Sequence, residues 1–131
     1  MDNKVALVSE GGAMRGAFLK GVLDCFKENK IKFPYIVGVS AGAITGFEFL
    51  SGIEFDVNKL FNEFLKNMEI LKNSSEPIDL VSMVNRIFDF PEFDKNLEGE
   101  FEAGVTSLID GSYKFFSSKD AKNTSDMVDK I

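Results

Sequence analysis

The sequence predicts an α/β fold built on a mainly parallel sheet, and three observations point there. A short apolar run, a glycine-rich turn and an amphipathic helix follow one another twice, at 4–28 and again at 33–52. Two such units in succession make neighbouring parallel strands, with both turns at the C-terminal edge of one sheet. A third region, 101–116, holds two strand-like runs separated by Asp110-Gly111, the spacing of a β-hairpin. At 131 residues the chain is one domain with enough length to bury a core.

In the first unit, Lys4 to Ser9 reads as a strand and Glu10-Gly11-Gly12-Ala13 as a sharp turn. Met14 to Glu28 follows as a helix that turns Ala17, Phe18, Val22, Leu23 and Phe26 inward. Cys25 falls on the same inward part, where a lone cysteine acts as a small hydrophobe. In the second unit, Tyr35-Ile36-Val37 is a β-branched and aromatic strand after Phe33-Pro34. The helix behind it carries an apolar stripe of Ala41, Ala43, Ile44, Phe47 and Leu50, and Ser51-Gly52 stops it. Its small residues Ala41, Gly42, Ala43 and Gly46 allow close packing on the sheet.

Further along, Val57, Leu60, Phe61, Phe64, Leu65 and Met68 repeat at helical spacing, as do Met83, Val84, Ile87 and Phe88 after an Asp79 cap. Asn73 to Pro77 is a loop and Pro91 closes the second helical region. Met127, Val128 and Ile131 mark a short, mostly solvated terminal helix. With fourteen phenylalanines and no tryptophan, most aromatic side chains belong to the core. Phe47, Phe49 and the first face of the Val57 to Met68 helix are the candidates for an acyl-chain pocket.

The chemistry centres on Gly38-Val39-Ser40-Ala41-Gly42, in a chain without a single histidine. A Gly-x-Ser-x-Gly between strand and helix presents a serine nucleophile on a tight turn, where flanking glycines let the backbone pass. The alternative is a glycine-rich turn whose serine merely caps the helix. A Ser-His-Asp relay cannot be assembled from this composition, so the base is a carboxylate or is missing. The upstream turn belongs to the same edge, and the backbone N–H groups of Gly11, Gly12 and Ala13 would point into the space above Ser40. Acyl transfer needs such donors where the tetrahedral oxyanion forms, and a helix N-terminus adds partial positive charge. A phosphate-binding loop is the alternative, but Gly11 to Gly16 fits neither Gly-x-Gly-x-x-Gly nor the Lys-Ser/Thr ending of a P-loop.

Together the two motifs resemble those of the patatin-like phospholipase family. Glu10-Gly11-Gly12-Ala13-Met14-Arg15-Gly16 is similar to the family's Gly-Gly-Gly-x-Arg/Lys-Gly oxyanion loop, and Gly38 to Gly42 to its nucleophile elbow. The resemblance runs from about Lys4 to Asp120. It implies a three-layer α/β/α sheet fold, a Ser-Asp dyad that uses no histidine, and hydrolysis of acyl esters in lipids without metal or organic cofactor. Arg15, Gly16, Gly38 and Gly42 become supporting residues around the Ser40 nucleophile. Ala13 stands where the family has a third glycine, which matters if that residue must take φ > 0. Arg15 orients an anionic head group or the oxyanion loop, or else pairs with Glu10 or another acid.

The dyad aspartate of the family lies in an Asp-Gly-Gly or Asp-Gly-Ala motif, and the single Asp-Gly here is Asp110-Gly111, followed by Ser112. Asp-Gly is also the preferred type I′ hairpin turn, and the flanking runs Phe101 to Ile109 and Ser112 to Phe116 read as the two strands. The hairpin turn is the expected role of Asp110 and the catalytic base the alternative. On that view the domain is truncated before its aspartate motif, and its incomplete sheet exposes an edge or an apolar face that favours self-association.

Net charge of −6 argues against a nucleic-acid partner and leaves no polybasic patch for anionic membranes. One cysteine excludes an internal disulfide framework, and Met1 to Lys4 with the short strand behind it is no signal peptide. No apolar run approaches the length of a membrane span. The expectation is a cytoplasmic protein that meets a lipid or small ester substrate by peripheral membrane contact, through exposed apolar surface.

Overall fold

The computed structural model describes residues 5–52 and 99–122, together with 56, 59, 62–63, 65–69, 97 and 126–127. Strand β1 (Ala6–Ser9) leads through a 3-10 turn (Ala13–Arg15) into helix α1 (Gly16–Glu28), and strand β2 (Tyr35–Val39) leads into helix α2 (Ala41–Ser51). Strands β3 (Glu100–Thr106) and β4 (Tyr113–Ser117) complete a four-stranded sheet of order β1-β2-β3-β4. β1 and β2 run parallel with Ser9 opposite Gly38, and β2 and β3 run parallel with Val39 opposite Gly104. β4 returns antiparallel, with Thr106 opposite Tyr113. The mainly parallel α/β sheet and the hairpin are both as the sequence predicts, and the described residues match an incomplete α/β fold of the expected kind.

Register follows from the alternation of side chains along each strand. Leu7, Ile36 and Phe101 lie side by side across three strands, and Ser9, Gly38 and Ala103 form the next row on the same face. Against that face lie Ala43 and Phe47 of α2, and Met127 joins them, all essentially inaccessible to solvent. The rings of Phe47 and Phe101 meet at 5.4 Å and a 54° tilt, a favoured edge-on arrangement. Gly46 lets α2 settle onto the sheet, because a Cβ there would sit 3.1 Å from Ile36 Cγ2. Gly52, with φ 72, closes α2 by returning its N–H to the Glu48 carbonyl, so the Ser51-Gly52 stop is realised.

Several residues depart from the sequence reading. Helix α1 begins at Gly16 rather than Met14, because Ala13 to Arg15 wind as a tighter 3-10 turn. Phe18, expected inside, is 80% exposed, and Cys25 is exposed as well. The buried positions of α1 are Lys20 and Leu23. Phe47 and Phe49 pack among the described residues: Phe47 belongs to the core, and Phe49 meets Phe33 at 6.0 Å, as Phe33 in turn meets Phe26 at 5.5 Å. Leu65 and Met68 are exposed, and Val57, Leu60, Phe61 and Phe64 lie outside the described residues. Met127, on the apolar side of the predicted terminal helix, is fully buried, and Val128 and Ile131 lie outside the described residues. The predicted helix at Met83 to Phe88, its Asp79 cap, the loop at Asn73 to Pro77 and Pro91 lie outside the described residues.

The hairpin forms with a different turn. Type I′ needs φ > 0 at both central residues, yet Gly111 has φ 70 and Asp110 is not in that region. Ser107 donates its N–H to the Ser112 carbonyl at 2.9 Å, and the Gly111 N–H returns to the Ser107 carbonyl at 2.9 Å. The turn is therefore the longer Leu108 to Gly111.

Where α1 crosses α2 the interface is ionic. Lys20 reaches Glu48 with Nζ 3.4 Å from Oε1 and also bonds the Asp24 carboxylate, while Glu48 is 3% exposed. Burial raises the Glu48 carboxyl to about 7, and the attraction of Lys20 and Lys27 lowers it only in part. For Lys20, burial lowers the pKa, but the Asp24 hydrogen bond and the Glu48 charge outweigh it and the net shift is upward. The folded value for Glu48 lies above its ordinary 4.5. Its contribution to stability is therefore fully present below that pH and is lost as pH rises through about 7. Glu48→Gln cannot ionise, so its unfolding free energy should gain on the parent chain by on the order of a few kcal/mol between about pH 5 and pH 8. Urea unfolding at both values checks this, and parallel pH trends for the two chains would contradict it.

Candidate active site

The parallel register brings three connections to one edge of the sheet: the Glu10 to Ala13 turn after β1, Ser40 after β2 and the hairpin turn after β3. Ser40 is the residue between strand and helix, exposed, with φ 52 and ψ −125. That conformation costs an L-residue on the order of 1–3 kcal/mol and persists only where its surroundings fix it. The surroundings here are backbone contacts. A Cβ on Gly38 would lie 2.4 Å from the Gly42 carbonyl oxygen, and one on Gly42 would lie 2.4 Å from the Ser9 oxygen and 2.5 Å from that of Glu10. Only glycine fits at either flank, which gives the Gly-x-Ser-x-Gly spacing its physical cause.

The Ser40 carbonyl, not its hydroxyl, caps α2. It accepts from the N–H groups of Ala43 at 2.9 Å and Ile44 at 3.1 Å, and the side chain makes no capping bond. The reading in which Ser40 is merely a cap is thus not realised, and its hydroxyl stays available at the surface.

Gly11 lies beside Ser40: a Cβ there would meet Ser40 Cβ at 3.2 Å and the Val39 carbonyl oxygen at 3.4 Å. Among the described residues, no backbone hydrogen bond is donated by Gly11, Gly12 or Ala13. Ala13 has φ 45, so the position where the resemblance places glycine does require the left-handed region. Gly16 starts α1 hard against α2, with a would-be Cβ 2.9 Å from Ala41 Cβ. Arg15 is exposed and lies over Gly12, its Nε 3.3 Å from where a Gly12 Cβ would stand; it forms no ion pair with Glu10.

Asp110 sits at the hairpin tip on this same edge, exposed and already engaged. Its Oδ1 accepts from the Ser112 N–H at 3.1 Å and the Ser112 hydroxyl at 2.8 Å. Hydrogen bonds from Ser107 and Ser112 hold its carboxyl below the usual range. Among the described residues no carboxylate is hydrogen-bonded to the Ser40 hydroxyl, and no cluster of His, Cys, Asp or Glu is arranged to hold a metal ion. Two buried polar groups escaped the sequence reading. Ser9 Oγ, at the end of β1, has no hydrogen-bond partner among the described residues, and Glu48 lies two helical turns behind Ser40. A serine in a strand and a glutamate in an apolar helix give no periodic signal.

Strain and crowding at the edge have opposite mutational signatures. Ala13→Gly should stabilise the chain by up to ~1 kcal/mol, since relief of a left-handed alanine exceeds the added unfolded-state entropy. Gly42→Ala should destabilise it by about 3 kcal/mol or more, because backbone oxygens cannot move aside. Thermal unfolding of both variants checks the pair. A raised melting temperature for Gly42→Ala would refute the crowding.

Among the described residues, no helix is long and apolar enough to cross a membrane. No curated protein sequence matches the chain. The sequence profile of the patatin-like phospholipase family matches residues 7–128, a span from β1 past β4 that includes the Gly11 turn, Ser40 and the hairpin. The chain belongs to the patatin-like phospholipase family, a family of lipid acyl-hydrolases.

Proposed function

We propose that the chain is a serine acyl-hydrolase of lipid esters, with Ser40 as nucleophile. Ser40 Oγ attacks the ester carbonyl carbon, an aspartate accepts the hydroxyl proton, and the N–H groups of Gly11, Gly12 and Ala13 hold the oxygen that gains charge. Collapse of the tetrahedral intermediate passes that proton to the departing oxygen, so the alcohol leaves and an acyl-serine remains. Water, giving a proton to the same carboxylate, then attacks the acyl carbon, and the proton returns to Ser40 Oγ as the carboxylic acid leaves. The observation that carries this reading is the exposed, left-handed Ser40 at the head of α2, with Gly11 packed beside it. Arg15 beside Gly12 keeps that turn in register or meets an anionic head group.

A second reading, a catalytically silent protein that keeps the fold and a lipid-binding site without the base, draws on one observation. The candidate base that the sequence offers, Asp110, is committed to Ser112 rather than to Ser40. An unactivated serine is a weak nucleophile, so a fluorophosphonate probe separates the two readings. The hydrolase reading expects labelling of Ser40 and ester hydrolysis that falls by about 10³-fold or more in Ser40→Ala. Absence of labelling in the folded parent chain would leave the silent reading.

Asp110 acts in this scheme as a turn residue. Asp110→Asn keeps an oxygen for the Ser112 donors, so unfolding free energy should change by less than about 0.5 kcal/mol and activity should persist. A loss on the order of 10²–10⁴ in rate with the circular dichroism spectrum intact would instead make Asp110 the base.

A further inference from the structure

The tip of the hairpin turns two branched aliphatic side chains into solvent at the edge that carries Ser40. Leu108 is 103% exposed and Ile109 96%, as open as in a free chain. Neighbouring apolar residues on that side of the molecule are also uncovered: Phe18 in the first turn of α1 at 80%, Tyr113 at 82% and Val39 at 46%. Phe115 and Val39 flank Gly104 on one face, since a Cβ on Gly104 would lie 3.2 Å and 3.1 Å from their side chains. They continue the apolar surface from the hairpin back to the strand that ends at Ser40. The turn is braced from within by the bonds of Ser107, Asp110 and Ser112, so Leu108 and Ile109 are presented without further ordering.

We infer that Leu108 and Ile109 are an interfacial anchor that inserts into a lipid surface and brings the Ser40 edge down onto it. This deepens the hydrolase reading and rests on it for the identity of the substrate. The occupant is a lipid surface of zwitterionic head groups. The chain carries net charge −6 and the tip holds Asp110, so an anionic surface would repel it. Paired aliphatic side chains at one tip give reversible contact and no span.

The test uses the full chain with phosphatidylcholine vesicles. The sequence contains no tryptophan, so Leu108→Trp supplies a sole indole reporter. Its emission should shift to the blue on adding vesicles, and Leu108→Ser/Ile109→Ser should co-float with them at least about tenfold more weakly than the parent chain. Ile31→Ser, at the opposite edge where Ile31 is 42% exposed, should float as the parent does. An unshifted indole, undiminished flotation of the double variant, or an equal loss in Ile31→Ser would overturn the anchor. Loss of self-association in the double variant, with vesicle binding intact, would overturn it in favour of a second copy as the occupant. Fluorophosphonate labelling of Ser40 in vesicle-free solution is read alongside. Failed labelling with an inserted tip removes the hydrolase reading and leaves the anchor, and labelled Ser40 with a solvent-exposed tip does the reverse.

Discussion

The first turn of α2 lies closer to the ends of β1 and β2 than any side chain would permit, and the rest of the edge depends on that approach. Carbonyl oxygens of Ser9, Glu10 and Gly42 occupy the places where Cβ atoms of Gly42 and Gly38 would be. Because backbone is what blocks them, no rotamer change can relieve a substitution. The same contact forces Ser40 into φ 52, lifts its hydroxyl clear of the helix and draws Gly11 to its side. Gly16 against Ala41 extends the approach to α1, so strand ends and both helix starts converge on one point.

Tight approach at one end is matched by ionic packing further along the same two helices. Lys20 and Glu48 join α1 to α2 where an apolar pair of similar volume would pack as well or better. Removing water from both charges offsets most of their attraction, which is why the Glu48 carboxyl rises towards neutrality and does not fall as it would beside an exposed lysine. The pair contributes little net stability, but it penalises any sliding of α1 along α2 that would leave either charge buried alone. Register between the helices matters here because their first turns shape the Gly11 and Ser40 neighbourhood.

Much of the architecture was legible because glycine, strand and stop signals agree at each step. Lys4 to Ser9 and Tyr35 to Val37 sit before glycine turns, and Gly52 falls one residue after the last helical one. Side-chain environment was less legible, for definable reasons. α2 is wedged between the sheet and α1, so Gly42, Ala43, Thr45, Gly46, Phe47 and Glu48 are all buried and no single stripe describes it. The apolar face drawn through Phe18 and Cys25 missed that α1 rests mainly on α2, which leaves both residues open. The Asp-Gly dipeptide marked the hairpin but not its length, since one left-handed glycine serves a four-residue turn as well as a type I′ pair. Ser40, Gly38 and Gly42 were readable because their spacing is itself the geometric requirement. A base was not readable, because the single Asp-Gly pair, Asp110-Gly111, is also what a hairpin turn uses.

Backbone strain and exposed apolar surface coincide on this edge, and their coincidence separates stability from function. Among the described residues, three that are not glycine have positive φ: Ala13, Lys30 and Ser40. Lys30 lies in the turn from α1 to β2 at the far edge, where a simple reversal explains it. Ala13 and Ser40 lie together at the near edge, each costing on the order of 1–3 kcal/mol. Hairpin residues Leu108 and Ile109 add apolar area that folding alone would bury or replace by polar groups. A fold selected for stability alone would relax all four. Their presence on one side of a sheet whose other elements obey ordinary packing is what the proposed contact with a lipid ester would use.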